Sequence, residues 1–126
     1  MAKSPPRPTD AELAILRVLW ERGPATVRQV HDALADDRAT GYTTTLKLMQ
    51  IMAEKGLVTR DESARTHVYA ARDSRDRTQR QLVNDLIDRA FGGSAAALVL
   101  QALSAQPASE EELSEIRRLI DRAKTK

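Results

Sequence analysis

The chain has 126 residues, 41% hydrophobic and 30% charged, a balance expected of one ordinary soluble domain or two very small ones. It contains no Cys, which excludes disulfides, thiolate metal sites and cysteine nucleophiles, and no apolar run approaches the roughly 18 residues of a membrane span. The net charge of +2 arises within residues 1–72 and supports a nucleic-acid partner only weakly.

Residues 1–8 hold three of the five prolines together with Lys3 and Arg7, and no apolar h-region follows. This predicts an N-terminal arm rather than a secretory signal, and a reducing cytoplasm suits the absence of Cys. "PTDAELAILRVLWERG" then opens on a capping box, Thr9 with Glu12. Leu13, Leu16, Leu19 and Trp20 recur at helical spacing until Gly23-Pro24 stops the helix. Thr26 with Gln29 starts a second helix striped by Val27, Val30 and Leu34. "GYTTTLKLMQIMAEKG" supplies a third, with Gly56 suited to a left-handed C′ position. The period changes next. Leu57–Arg60 and His67–Ala70 read as strands around the polar loop "DESART". Three short helices followed by a hairpin predict a winged helix, a helix-turn-helix variant, over residues 9–72.

Residues 73–126 are predicted to be helical throughout. Leu82, Val83, Leu86, Ile87, Ala90 and Phe91 repeat at spacings of three and four until Gly92-Gly93. "SAAALVLQALSA", with Val99, Leu100 and Leu103, is a short and very apolar helix. The last helix opens on the capping box Ser109 with Glu112 and carries Ile116 and Ile120. The apolar stripe from Leu82 to Leu103 is wider than one chain is expected to cover, which predicts a dimerisation domain. Packing of these helices back onto the first domain is the alternative. The fold class expected is mainly α with a small β-hairpin: a winged helix-turn-helix domain and then three dimerisation helices.

The third helix starts oddly. Threonine loses side-chain freedom in a helix, yet Thr43, Thr44 and Thr45 stand in a row. With Gly41 as N-cap, Tyr42, Thr43 and Thr44 form the first turn. On a helical wheel Thr45, Leu48, Met49 and Met52 share one side; Thr43, Lys47 and Gln50 lie opposite, with Leu46 on a flank. A hydroxyl, an ammonium and an amide are groups that meet phosphates and base edges in a major groove. A merely solvated face with threonines near a cap would look the same. Arg28 and His31 on the second helix, Arg60, Arg65 and His67 around the hairpin, and Lys3 and Arg7 on the arm complete the candidate DNA contacts; His31 also suits a half-buried packing role. No His pair, HExxH, glycine-rich phosphate loop or GxSxG occurs, so neither catalysis nor a metal or cofactor is expected.

"AELAILRVLWERGPATVRQVHDAL", "YTTTLKLMQIMAEKGLV" and "RTHVYAA" resemble the penicillinase-repressor (BlaI/MecI/CopY) family over about residues 9–124, in order and spacing. The most specific pieces are Leu19-Trp20 before Gly23-Pro24, Tyr42-Thr43-Thr44, and Lys55-Gly56-Leu57-Val58. The resemblance implies a homodimeric winged-helix repressor on a palindromic double-stranded DNA operator. As in many members of the family, it also implies relief by proteolysis in the dimerisation region or by a sensor-derived signal, through a membrane metallopeptidase sensor. Two departures stand out. The absence of Cys excludes the thiolate site of the copper-responsive relatives, and Gln101-Ala102 stands where some relatives carry a scissile Asn-Phe bond. A winged-helix protein-interaction module without sequence-specific DNA binding is the competing function. A ligand-sensing regulator ranks lower, because a short aliphatic chain leaves little room for a dedicated pocket.

Overall fold

The computed structural model describes residues 7–34 and 41–124. The elements are α1 (Asp10–Arg22), α2 (Val27–Leu34), α3 (Tyr42–Lys55), β1 (Val58–Asp61), β2 (Val68–Ala71), α4 (Arg75–Ala90), α5 (Ala95–Ala105) and α6 (Glu110–Lys124). The chain divides into two compact units, Met1–Leu82 and Val83–Lys126, so the division falls within α4. Lys3, a predicted arm contact, lies outside the described residues.

Unit 1 is built from its caps inward. Thr9 and Glu12 form the expected capping box of α1: Glu12 N–H donates to Thr9 Oγ1 (3.2 Å) and Thr9 N–H to Glu12 Oε1 (2.9 Å). Thr26 and Gln29 repeat the device at α2, at 3.2 and 2.9 Å. Each such cap contributes on the order of 1 kcal/mol. The apolar stripes then meet in one core of Ile15, Leu16, Leu19, Val27, Val30, Met49, Met52, Leu57, Val58 and Tyr69, closed by Ala25 and Leu34. Each large aliphatic side chain buried there stabilises the fold by about 1.5–3 kcal/mol. The α1 stripe is rotated from the predicted one. Ile15 and Glu12 are buried, while Leu13 and Trp20 only flank the core.

β1 and β2 pair antiparallel, with Val58 opposite Ala71 and Arg60 opposite Tyr69. Both strands run one residue later than the sequence predicts, because Leu57 belongs to the helix cap. Its N–H donates to Met52 O (2.9 Å), and Gly56 takes the left-handed φ of 85° that the cap requires. The turn between α1 and α2 adds a bridge that periodicity did not reveal. Ala25 N–H donates to Tyr69 O (2.9 Å) and Tyr69 N–H to Ala25 O (2.8 Å), which fastens the hairpin to the helices.

Unit 2 has the predicted helices and breaks. Gly92 and Gly93 both take left-handed φ values, 58° and 85°, at the end of α4. Ser94 caps α5, and Ser109 with Glu112 forms the expected capping box of α6. Yet no described residue from Val83 onward is buried. Leu100 is 68% exposed and Leu119 60%; Val83, Leu86, Val99, Leu103 and Ile120 are also exposed, while Ile87, Phe91 and Ile116 are half-buried. No single helix among the described residues is long and apolar enough to cross a membrane.

Candidate nucleic-acid interface

α3 is held from its inner face. Thr45, Met49 and Met52 are buried against α1 and α2, as the wheel predicts, and Leu48 flanks them. With that face fixed, Thr43, Thr44, Lys47 and Gln50 are exposed. Leu46, which the wheel puts on a flank, is half-buried there and packs on the core. The outward set is two hydroxyls, an ammonium and a primary amide. Such an amide can pair with an adenine edge through two bonds, and the ammonium can meet a phosphate or guanine.

The far end of α3 is anchored by a half-buried charge pair. Glu12 is only 2% exposed, and Lys55 Nζ lies 2.8 Å from its Oε2 and 3.1 Å from its Oε1. Burial alone would raise the Glu12 carboxyl. The Lys55 ammonium and the Thr9 N–H outweigh it and hold the carboxyl below its ordinary value. Glu12 therefore serves two purposes at once, capping α1 and fastening the end of α3. The two residues are 43 positions apart, so no local pattern in the sequence pairs them.

At the near end, α2 supports the first turn of α3. The Arg28 guanidinium lies over the Tyr42 ring, 4.3 Å from its centroid. The His31 ring meets the same tyrosine edge-on at 5.8 Å and 81°, and His31 Nδ1 lies 3.2 Å from Thr45 Oγ1. Arg28 and Tyr42, both predicted DNA contacts, thus touch each other; Tyr42 is 36% exposed.

The hairpin candidates separate. Arg60 is engaged internally: the Tyr69 hydroxyl, then the Glu62 carboxylate, raise its guanidinium above the ordinary value, with Nε donating to Glu62 Oε2 at 3.0 Å. Arg65 is exposed in the loop, and His67 is half-buried just before β2. Within the loop Ser63 N–H donates to Asp61 Oδ1 (2.9 Å), which shapes the turn. Trp20 Nε1 donates to Asp73 O (3.0 Å) and ties the segment that follows β2 to α1. A groove of about 540 Å3 lies beside this bond, lined by Leu13, Arg17, Trp20, Arg75, Gln79 and Leu82 among others. Leu82, which lines it, belongs to unit 1. Among the described residues no three His, Asp or Glu side chains are grouped to hold a metal ion.

The solution structure of the DNA binding domain of the repressor BlaI matches 59% of this chain and 90% of its own, with a TM-score of 0.52 and 22% identity, which establishes the winged-helix fold. The transcriptional regulator BlaI of Mycobacterium tuberculosis is 41% identical over 93 residues, 71% of this chain and 67% of that protein. The penicillinase repressor of Bacillus licheniformis is 21% identical over 124 residues, 98% of this chain and 97% of its own length. Residues 8–122 match the family model described as penicillinase repressor. A match of that extent, together with the 41% identical regulator, means that this chain belongs to the penicillinase repressor family.

Proposed function

We propose that the protein is a sequence-specific DNA-binding transcriptional repressor, working in the cytoplasm as a homodimer on a palindromic operator. The observation that carries the reading is the two-sided α3. Its inner face is locked by Thr45, Met49 and Met52, and its outer face presents Thr43, Thr44, Lys47 and Gln50 side by side. In this reading those four side chains enter the major groove, while Arg65 and His67 approach the backbone from the wing. Tyr42, Leu46, Arg28 and Arg60 flank the contact with side chains already occupied in packing or pairing. The relatives named as a transcriptional regulator and a penicillinase repressor support the same function.

The dimer is supported by unit 2, which exposes Leu86, Val99, Leu100, Leu103 and Ile120 and buries nothing among its described residues. Two α3 helices related by a two-fold axis would read half-sites about one helical turn apart, or a multiple of it. Relief of repression through a membrane metallopeptidase sensor belongs to the same proposal. Gln101-Ala102, exposed on α5, departs from the Asn-Phe bond of some relatives, so cleavage at that position is not carried over from them.

The test is a gel shift with DNA from upstream of the protein's own gene, titrated at several salt concentrations. Lys47→Ala is expected to weaken binding to all sequences and to flatten the plot of log affinity against log salt by about one unit. Loss confined to one sequence with an unchanged slope would make Lys47 a base reader. No shift by the folded wild-type protein would remove the repressor reading and leave a protein-interaction module.

A further inference from the structure

The start of α3 is built differently from the other helix starts. α1, α2, α4, α5 and α6 each open on a Ser or Thr hydroxyl, at Thr9, Thr26, Ser74, Ser94 and Ser109, that accepts a first-turn N–H. α3 opens on Gly41, which provides no side-chain bond, and its first residues are poor helix formers. A helix start without a cap and rich in threonine frays unless something outside it supplies the missing restraint. That restraint comes from α2. Arg28 covers one face of the Tyr42 ring, His31 meets its edge, and His31 also reaches Thr45 Oγ1 one turn further along. The Thr45 hydroxyl in turn lies 3.5 Å from Gly41 O, the carbonyl that accepts from Thr44 N–H (3.1 Å) and Thr45 N–H (3.2 Å).

We propose that Arg28 and His31 are positioning residues, which order the first turn of α3 through Tyr42 and Thr45 in place of a side-chain N-cap. The proposal rests on the reading of α3 as the DNA-reading helix. It changes the role of Arg28 from a phosphate contact on α2 to a plate that holds Tyr42. A lateral clamp has a consequence that an N-cap lacks. It restrains the turn through side chains on α2 while no side chain of Gly41 occupies the first-turn N–H groups, so Thr43 and Thr44 are presented in fixed positions at an open helix end.

Two measurements on the full-length protein decide it: amide hydrogen exchange at Thr44 and Thr45 without DNA, and operator affinity against salt. Arg28→Met, which removes the cation–π contact, is expected to speed exchange at both amides by about twofold to fivefold, and Tyr42→Ala, which also removes the aromatic edge contact, by about fivefold to seventyfold. Operator affinity should fall by a similar factor with the salt slope unchanged, because no phosphate contact is lost. Tyr42→Phe keeps the ring and should match the wild type in amide exchange. Unchanged exchange in Tyr42→Ala and Arg28→Met overturns the proposal whatever happens to affinity. A slope shallower by about one unit in Arg28→Met also overturns it and restores Arg28 as a phosphate contact. If the wild-type protein bound no DNA, the repressor reading would fail, while the exchange data would still decide whether the clamp exists.

Discussion

Unit 1 and unit 2 are of comparable helical quality and opposite interior. In unit 1, the stripes of α1, α2 and α3 close on one another and on the hairpin, so Val30, Met49 and Met52 are wholly buried. In unit 2, α5 has the most apolar sequence of the chain, yet it has no buried residue, and neither does α6. The caps are equally good in both; Ser109 and Glu112 form as complete a box as Thr9 and Glu12. Good caps and periodicity therefore make helices but not a core. A core needs facing surfaces, and a single copy of unit 2 leaves its own without partners.

Substitutions should separate the two units. The largest effect is expected for Met49→Ala, which opens a cavity in the core of unit 1 and should cost about 2–5 kcal/mol in chemical denaturation. Self-association by sedimentation should survive wherever the variant remains folded. Leu86→Asp, on the exposed face of unit 2, should do the converse. Association should weaken by on the order of a hundredfold, and operator affinity should fall with it, while unit 1 keeps its near-native spectroscopic signature. A Leu86→Asp protein that remained dimeric would place the interface elsewhere.

Smaller effects test how unit 1 fastens its helix. The Glu12 carboxyl is held below its ordinary value in the folded state, so its stabilisation is complete above the unfolded value near 4.5 and is lost as pH falls through the folded value. Wild-type stability should therefore drop below about pH 4.5, and Glu12→Gln should be less stable at neutral pH by about 1–2 kcal/mol with a flatter acid limb. The effect is small because the Lys55 side chain is 30% exposed and partly screened. An unchanged acid limb would show that the pair does not set this dependence. The smallest effect is expected for Gly56→Ala, about 1 kcal/mol in thermal melts. The added Cβ meets a left-handed φ of 85° and the movable end of Arg72 at 2.8 Å.

Much of unit 1 was legible residue by residue. The boxes at Thr9 and Thr26, the inward set Thr45, Met49 and Met52, and the left-handed Gly56 all follow from spacing and local backbone chemistry. The outward position of Thr43, Lys47 and Gln50 followed from the same wheel, since the two faces of a helix are fixed relative to each other. How far Leu46 on the flank packs into the core did not, because the width of a buried face depends on the neighbours. Arg28, Tyr42 and Arg60 could be picked out as exposed or polar candidates. That Arg28 lies on Tyr42, and that Arg60 pairs with Glu62 and Tyr69, could not be read from spacing.

By itself the order of residues determined where helices start and stop, which face of α3 turns inward, and that unit 2 carries more apolar surface than it can bury. Those properties depend on neighbours within one or two turns, where backbone geometry is the same in every helix. Only the tertiary structure decided that Glu12 meets Lys55, that Ala25 bridges to Tyr69, and that α2 holds the threonine-rich start of α3. Each of these contacts joins residues from different elements, and their meeting depends on how the helices cross and where the hairpin lies, which no local period encodes.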